Sequence, residues 1–323
     1  MRGDILFSHI NSVEHVGKCA VYRGLPDSLI HGMNLLNLRC DQSKITPEFA
    51  KYLIRSPGFR DRLANFINKA VNQASVSIGN LRTIPVSVPP LPEQRRIAAI
   101  LDQADALRAK RREALAQLDN LTQSIFIEMF GDPVTNRFGW PTSTLKTLGK
   151  VITGGTPPGG QEGMFDGPIP FLTPGDLESV AMPKRTVTDA GAAAAVTVRA
   201  GATLVCCIGA TIGKTDIARV RSAFNQQLNA VDWGPSVSDV YGLVAMRSLK
   251  PLIVSRGAST TLPILKKSAF EELAIAVPPF PLQQTFATRI QAVESLKTTH
   301  RAALAELDAL FASLQHRAFS GGL

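Results

Sequence analysis

Cysteine is scarce in this chain, with four among 323 residues, and none stands in C-x-x-C spacing. Cys206 and Cys207 are adjacent. That excludes a disulfide framework and a zinc knuckle, and predicts that Cys19, Cys40, Cys206 and Cys207 are reduced, buried thiols of a cytoplasmic protein. No apolar run approaches the roughly 18–20 residues of a membrane span. The opening MRGDILFSHI breaks early on Asp4 and does not read as a secretory leader. Catalytic signatures are missing too. There is no N-P-P-Y methyltransferase motif, no acidic-lysine nuclease cluster and no His/Cys metal constellation, and the five histidines are scattered. The chain is expected to catalyse nothing itself.

What is present is a basic chain, +9 overall and 45% hydrophobic, rich enough in apolar residues to bury real cores. The charge is uneven. Residues 1–90 carry 11 Lys/Arg against 6 Asp/Glu, and residues 134–280 carry 14 against 10. Residues 91–133 carry 6 against 7, and residues 281–323 carry 4 against 3. The two globular segments therefore hold the excess, as expected if they face a polyanion while the balanced segments face protein.

The chain also repeats itself. PPLPEQRRIA from Pro89 returns as PPFPLQQTFA from Pro278, and the same offset aligns Leu121, Ser124 and Phe130 with Leu310, Ser313 and Phe319. Solenoid repeats run about 20–50 residues, so this longer period is a duplicated module of globular domain plus helix. A duplicated module suits a bipartite target.

Each repeat ends in a helix. The first is expected to start at Pro92 or Glu93, where proline and an acid suit a first turn, and to stop at Gly131-Asp132-Pro133. Ile100, Ala104, Leu107, Arg111, Ala114, Leu118, Leu121 and Ile125 recur in alternating steps of four and three. The second helix repeats the pattern with Arg289, Val293, Leu296, His300, Ala303, Leu307, Leu310 and Leu314. This is a coiled-coil seam, with cation-capable Arg111 and His300 at matching points. The two helices are expected to pair. At 1.5 Å per residue each spans about 57 Å, on the order of one and a half turns of DNA.

Residues 138–280 read as short strands and turns, with Thr203–Ile208, Ile169–Leu172 and Leu273–Val277 as strands. Residues 1–90 hold a shorter version. Gly3–Ser8 corresponds to Gly201–Cys206, Val16–Lys18 to Ile212–Lys214, and Ile84–Val88 to Leu273–Val277, with nothing matching roughly residues 138–198. Ile208–Thr215 imitates a phosphate-binding loop, but three residues separate Gly209 from Gly213 where the Walker pattern needs four. The stretch from Thr215 to Val220 alternates like a strand, so a phosphate would find no helix N-terminus.

The order G-D-I-L, G-K turn, I-x-V-P-P-L-P-E-Q-R-x-I, long helix, F-G-D-P, then W-x-x-x-x-L resembles the specificity (S) subunit of type I restriction-modification systems. Trp140, Leu145, Leu148, Gly154–Pro157, Ile169–Leu172 and Gly175-Asp176 extend the resemblance. It implies an α+β chain: two mixed α/β target recognition domains, the first incomplete, joined by two long helices in an antiparallel coiled coil. The boundaries are 1–90 for the partial first recognition domain, 91–133 for the first spacer helix, 134–280 for the second recognition domain and 281–323 for the second helix. Full members open with their own W…G-T-P half-domain, and this chain begins inside it. The implied partners are double-stranded DNA, two methyltransferase (M) subunits and, through the complex, restriction/translocase (R) subunits, with no membrane. S-adenosylmethionine, ATP and Mg²⁺ would belong to those partners, leaving this chain without a cofactor.

Under that resemblance the DNA-contact candidates are cations and small polar residues on turns. In the second domain they are Thr156, Lys184, Arg185, Lys214, Asn225, Gln226, Arg256, Ser259, Thr260, Lys266 and Lys267. In the first they are Lys18, Asn72, Gln73, Ser75 and Ser77. A protein-only helical scaffold, or a truncated specificity subunit without independent DNA recognition, remains the alternative.

Overall fold

Gly3 and Gly201 share a left-handed backbone, φ +93° in each, and each turns the chain into a buried strand, Ile5–Ser8 and Thr203–Cys206. Both strands then enter a hairpin closed by a second left-handed glycine, Gly17 or Gly213. The hydrogen bonds match. Gly17 N–H donates to the Ser8 carbonyl and Gly213 N–H to that of Cys206, each at 2.8 Å. The duplication read from sequence is thus a duplication of backbone. These observations come from a computed structural model that describes residues 1–71, 73–133, 135–179, 181–257 and 262–322.

The chain divides into two units, Met1–Ala116 with Thr298–Leu323, and Gln117–Lys297. The division falls inside the long helices Leu91–Phe130 and Phe280–Ser320. Each unit therefore contains the start of one helix and the end of the other.

In the first unit, Ile5–Ser8 lies between Cys19–Val21 and Leu35–Leu38 in an antiparallel sheet. A smaller sheet orders Ile10–Asn11, Gln73–Ser75 and Asn68–Ala70. The helices Pro47–Arg55 and Pro57–Ala64 cover the core, capped by Thr46 and Ser56. Ile5, Phe7, Val16, Leu63, Ala74 and Val76 are its most buried members. On the long-helix side, Phe49, Tyr52, Ile97, Leu101, Ala104 and Phe311 form a second cluster. Leu314, Ala318 and Phe319 of the other long helix pack against it.

The second unit enlarges this plan. Thr215–Ile217, Thr203–Cys206, Leu228–Trp233 and Gly149–Thr153 make one antiparallel sheet. Thr186–Val187, Phe165–Leu172, Ser222–Phe224 and Thr197–Val198 make another, with one parallel pairing between Phe165–Leu172 and Ser222–Phe224. Ala274–Ala276 pairs with Thr142–Thr144. Its first-unit counterpart, around Val86, forms no strand. The false phosphate loop is the turn of the hairpin joining Thr203–Cys206 to Thr215–Ile217.

A buried glutamine locks each domain to its helix. Gln94 Oε1 accepts the Thr46 N–H at 2.8 Å while Nε2 donates to the Lys44 and Pro89 carbonyls. Gln283 repeats this with Ser238 N–H, Ser236 and Pro278. Both side chains are wholly enclosed, and each holds the N-cap of its domain's first covering helix. Replacing either by alanine removes the partner of three part-buried backbone groups, a cost of about 1–3 kcal/mol. Urea denaturation of Gln94→Ala and Gln283→Ala is expected to show a loss of that order. Gln284→Ala, at the exposed position beside Gln283, serves as the neutral comparison.

Candidate nucleic-acid interface and helix seam

In the second unit, strand ends bring the scattered candidates to one place. At the Cys206 end of the first sheet, Cys206 N–H donates to the Lys214 carbonyl and Cys207 N–H to that of Gln227. Gly154 N–H donates to Leu228 there. In the second sheet, Asn225 N–H donates to Leu172, Phe171 N–H to Arg185 and Gly155 N–H to Phe224. Adjacent Gly154 and Gly155 thus join the two sheet ends. A side chain at Gly154 would stand 2.1 Å from the Asn225 carbonyl, so only glycine permits the join.

Polar side chains cover this edge. Thr156 Oγ1 donates to Gln226 Oε1 at 2.7 Å, and Asn225 Nδ2 to Gln227 Oε1 at 2.9 Å. Arg185 lies over the rings of Phe165 and Phe171, 4.7 and 5.2 Å from their centroids, with Lys184 exposed beside it. The segment carrying Lys266 joins the same edge: Leu265 N–H donates to Cys207 and Gly209 N–H to Pro263. Arg256 precedes Gly257, whose carbonyl accepts from Ile264. Lys267 is turned toward Glu271, 3.6 Å away. Ser259 and Thr260 lie outside the described residues, as does Asn72.

In the first unit, Lys18 occupies the hairpin position of Lys214, its carbonyl accepting from Ser8. Gln73 and Ser75 share a strand paired with Ile10–Asn11. Ser77 has a structural task, its Oγ accepting the Asn80 N–H as a helix cap. Two residues of this edge escaped the sequence reading. Gln227 completes the amide pair with Asn225, and the doublet Gln226-Gln227 after a buried strand was its signal. Arg60 braces the Gly17 turn by donating to the Val16 carbonyl, which nothing in the local sequence announced.

The long helices correct the expected seam. Ala104 and Val293 are buried, at 7% and 5% exposure, and Ile100, Arg111, Ala114, Leu118, Ile125, His300, Ala303, Leu307 and Leu314 are half-buried. Leu107, Leu121, Leu296 and Leu310 instead face solvent, 42–51% exposed, and Arg289 is exposed too. The reason is that the pairing face is shifted onto cations. Arg108 reaches Asp105 on its own helix and Asp308 on the other. Lys297, buried, reaches Glu294 on its own helix and Asp119 on the other. These six are repeat counterparts. Arg111 Nη1 lies 3.2 Å from His300 Nδ1, again its own counterpart.

The sequence profile of the type I restriction modification DNA specificity domain matches residues 2–118 and 138–309. The chain belongs to that family. This specificity subunit is 27% identical to the MjaX type I restriction enzyme specificity subunit of Methanocaldococcus jannaschii, over 91% of this chain and 72% of that protein. The EcoKI specificity subunit of Escherichia coli is 30% identical over 41% of this chain and 30% of its own length. In fold it is similar to the type I S subunit of M. genitalium, with TM-score 0.62 and 14% identity over 99% of this chain and 83% of that one. Specificity subunits are the non-catalytic members of type I systems. No helix among the described residues is long and apolar enough to cross a membrane.

Cys207 is buried at this sheet end. Burial pushes its thiol up to about 12, so at pH 8 only roughly one molecule in ten thousand carries the thiolate. Iodoacetamide is therefore expected to label Cys207 only as fast as the unit opens, and mass spectrometry of the labelled peptide checks it. Rapid labelling of the folded chain would contradict this burial.

Proposed function

We propose that this specificity subunit binds double-stranded DNA and reads a bipartite target, one half through each recognition domain, 1–90 and 134–280. What carries the reading is the convergence of turn cations, amides and hydroxyls on one sheet end, on a plan repeated in both units. Lys18, Lys184, Arg185, Lys214, Arg256, Lys266 and Lys267 serve the phosphates. Thr156, Asn225, Gln226, Gln73 and Ser75 serve the base edges, where amides and hydroxyls discriminate. The helical segments 91–133 and 281–323 dock two M subunits, through which R subunits join the complex. S-adenosylmethionine, ATP and Mg²⁺ act on those partners, and the chain works in the cytoplasm.

The exposed Leu107, Leu121, Leu296 and Leu310 support the docking role, since they stand at matching positions on both helices and the chain's own packing does not use them. The competing reading, a protein-only scaffold, has no use for the basic sheet ends.

Salt dependence separates the two. Log affinity for duplex DNA should fall with log salt, and Lys214→Ala should reduce that slope by about 1. Gln226→Ala should instead relax the target at bases of one half, costing about 1–3 kcal/mol of discrimination. A flat salt response of the assembled complex would leave only the scaffold. For docking, Leu107→Asp with Leu296→Asp is expected to abolish co-purification of M subunits while the melting temperature stays within about 2 °C, since surface changes cost within about 0.5 kcal/mol. Retained M binding would refute the leucine assignment.

A further inference from the structure

Both units contain the same extended edge with different chemistry on it. Val76 N–H donates to the His9 carbonyl at 2.9 Å, and Leu265 N–H to that of Cys207 at 2.8 Å. Ser75 pairs with Ile10, and Ile264 with Ile208. His9 and Cys207 each follow the matched hairpin residues Ser8 and Cys206, so the register is the same in both. Ser77 and Lys266 then open the matched helices Ile78–Thr83 and Lys267–Glu271. Val76 and Leu265 are buried, 1% and 3% exposed. The outward positions are therefore Gln73 and Ser75 in the first unit, and Leu262 and Ile264 in the second.

Where one unit has an amide and a hydroxyl, the other has two branched apolar side chains, 48% and 44% exposed. Their backbone is held on both sides. Gly209 N–H donates to the Pro263 carbonyl and Ile264 N–H to that of Gly257, each at 2.9 Å. A single exposed leucine needs no explanation. Two in succession on a pinned edge, where the repeat has polar groups, call for a partner.

Cations frame this edge. A side-chain carbon added at Gly213, beside Lys214, would lie 2.9 Å from Lys250 Cγ. One added at Gly257, beside Arg256, would lie 2.3 Å from Ile212 and 3.5 Å from the Ile264 backbone. The hairpin turn, the helix Lys250–Gly257 and the segment 262–266 thus form one surface, bearing Lys214, Lys250, Arg256 and Lys266. The nearby carboxylates are engaged elsewhere, Glu271 with Lys267 and Glu272 with Lys146.

We propose that Leu262 and Ile264 read thymine, by contact with its C5-methyl group in the major groove. That methyl is the one apolar group a base pair offers there. The occupant of this patch is duplex DNA, because four cations around it favour a polyanion over an apolar protein surface. The inference rests on the DNA-binding role proposed for the chain and adds the base to it. At the same register in the first unit, Gln73 and Ser75 address donors and acceptors instead. The two half-targets therefore differ in the chemical feature read at this point.

The test uses the chain assembled with its M subunits and the duplex it selects from a randomised pool. Each thymine of the selected target is replaced singly by deoxyuridine, which removes the methyl and keeps every hydrogen-bonding group. At one or two positions of one half-target, affinity is expected to fall about fourfold, the worth of one buried methyl. With Leu262→Ser or Ile264→Ser the same replacement should change affinity less than about twofold, because the methyl has lost its apolar neighbour. Both residues are exposed, so melting temperatures should stay within about 2 °C. Selection repeated with a chain carrying Leu262→Gln and Ile264→Ser, which copies the first unit, should no longer favour thymine at those positions. Equal affinity for thymine and deoxyuridine duplexes, in a complex that still selects a target, overturns thymine reading and leaves DNA binding standing. Loss of M-subunit co-purification by the serine variants at unchanged DNA affinity also overturns it, since the patch would then face protein. If no target is selected and the salt response is flat, DNA reading itself fails and the thymine assignment with it.

Discussion

Each unit depends on aromatic contacts between its domain and the far end of a long helix. In the second unit Tyr241 packs on Phe126 and Phe130, 5.5 and 4.9 Å between ring centroids, and both phenylalanines meet Phe286. In the first, Tyr52 meets Phe311 at 6.1 Å and Phe49 meets Phe319 at 5.5 Å. Buried aromatic side chains carry much of a core's stabilisation, with pair geometry adding about 0.5–1.5 kcal/mol each. Long helices with balanced charge gain little from propensity alone and stand because their apolar faces are covered. Here the cover comes from opposite ends of the repeat, so neither domain is complete with its own helix alone.

That constraint explains the pairing face. The aromatic ends fix the rotation of each helix, and the rotation brings Arg108 and Lys297 inward rather than the leucines. A cation so placed must be neutralised, because an unpaired buried charge is costly. Asp105 with Asp308 serves Arg108, and Glu294 with Asp119 serves Lys297. Ion pairs of this kind favour a single register over alternatives of equal hydrophobicity. The leucines displaced from the seam become surface, which is where a protein partner can use them.

The gathering of polar residues at one sheet end follows from sheet geometry. Antiparallel hairpins return the chain to the same sheet end, so residues as distant in sequence as Thr156, Lys214 and Gln226 gather without any local motif. Cations and amides at strand ends are well placed for a polyanion, since the sheet holds the backbone while the side chains remain free. The first unit has the same device in reduced form, with Lys18 on its turn.

Much of this was legible in the sequence. The repeat of Pro89 and Pro278 announced duplicated modules, glycine-bounded apolar runs announced Ile5–Ser8 and Thr203–Cys206, and the uneven charge separated basic domains from balanced helices. Local patterns such as these are set by backbone sterics and by hydrophobic period, which a linear reading can see. Helix rotation was not legible, because a heptad of alanines and leucines offers several apolar stripes. Only packing against Tyr52 and Tyr241 chose among them and turned Leu107 and Leu296 outward. Nor could sequence reveal the Gln94 and Gln283 locks, whose partners lie about fifty residues away. Tertiary structure alone decided these, because burial and hydrogen-bond satisfaction belong to the assembled fold.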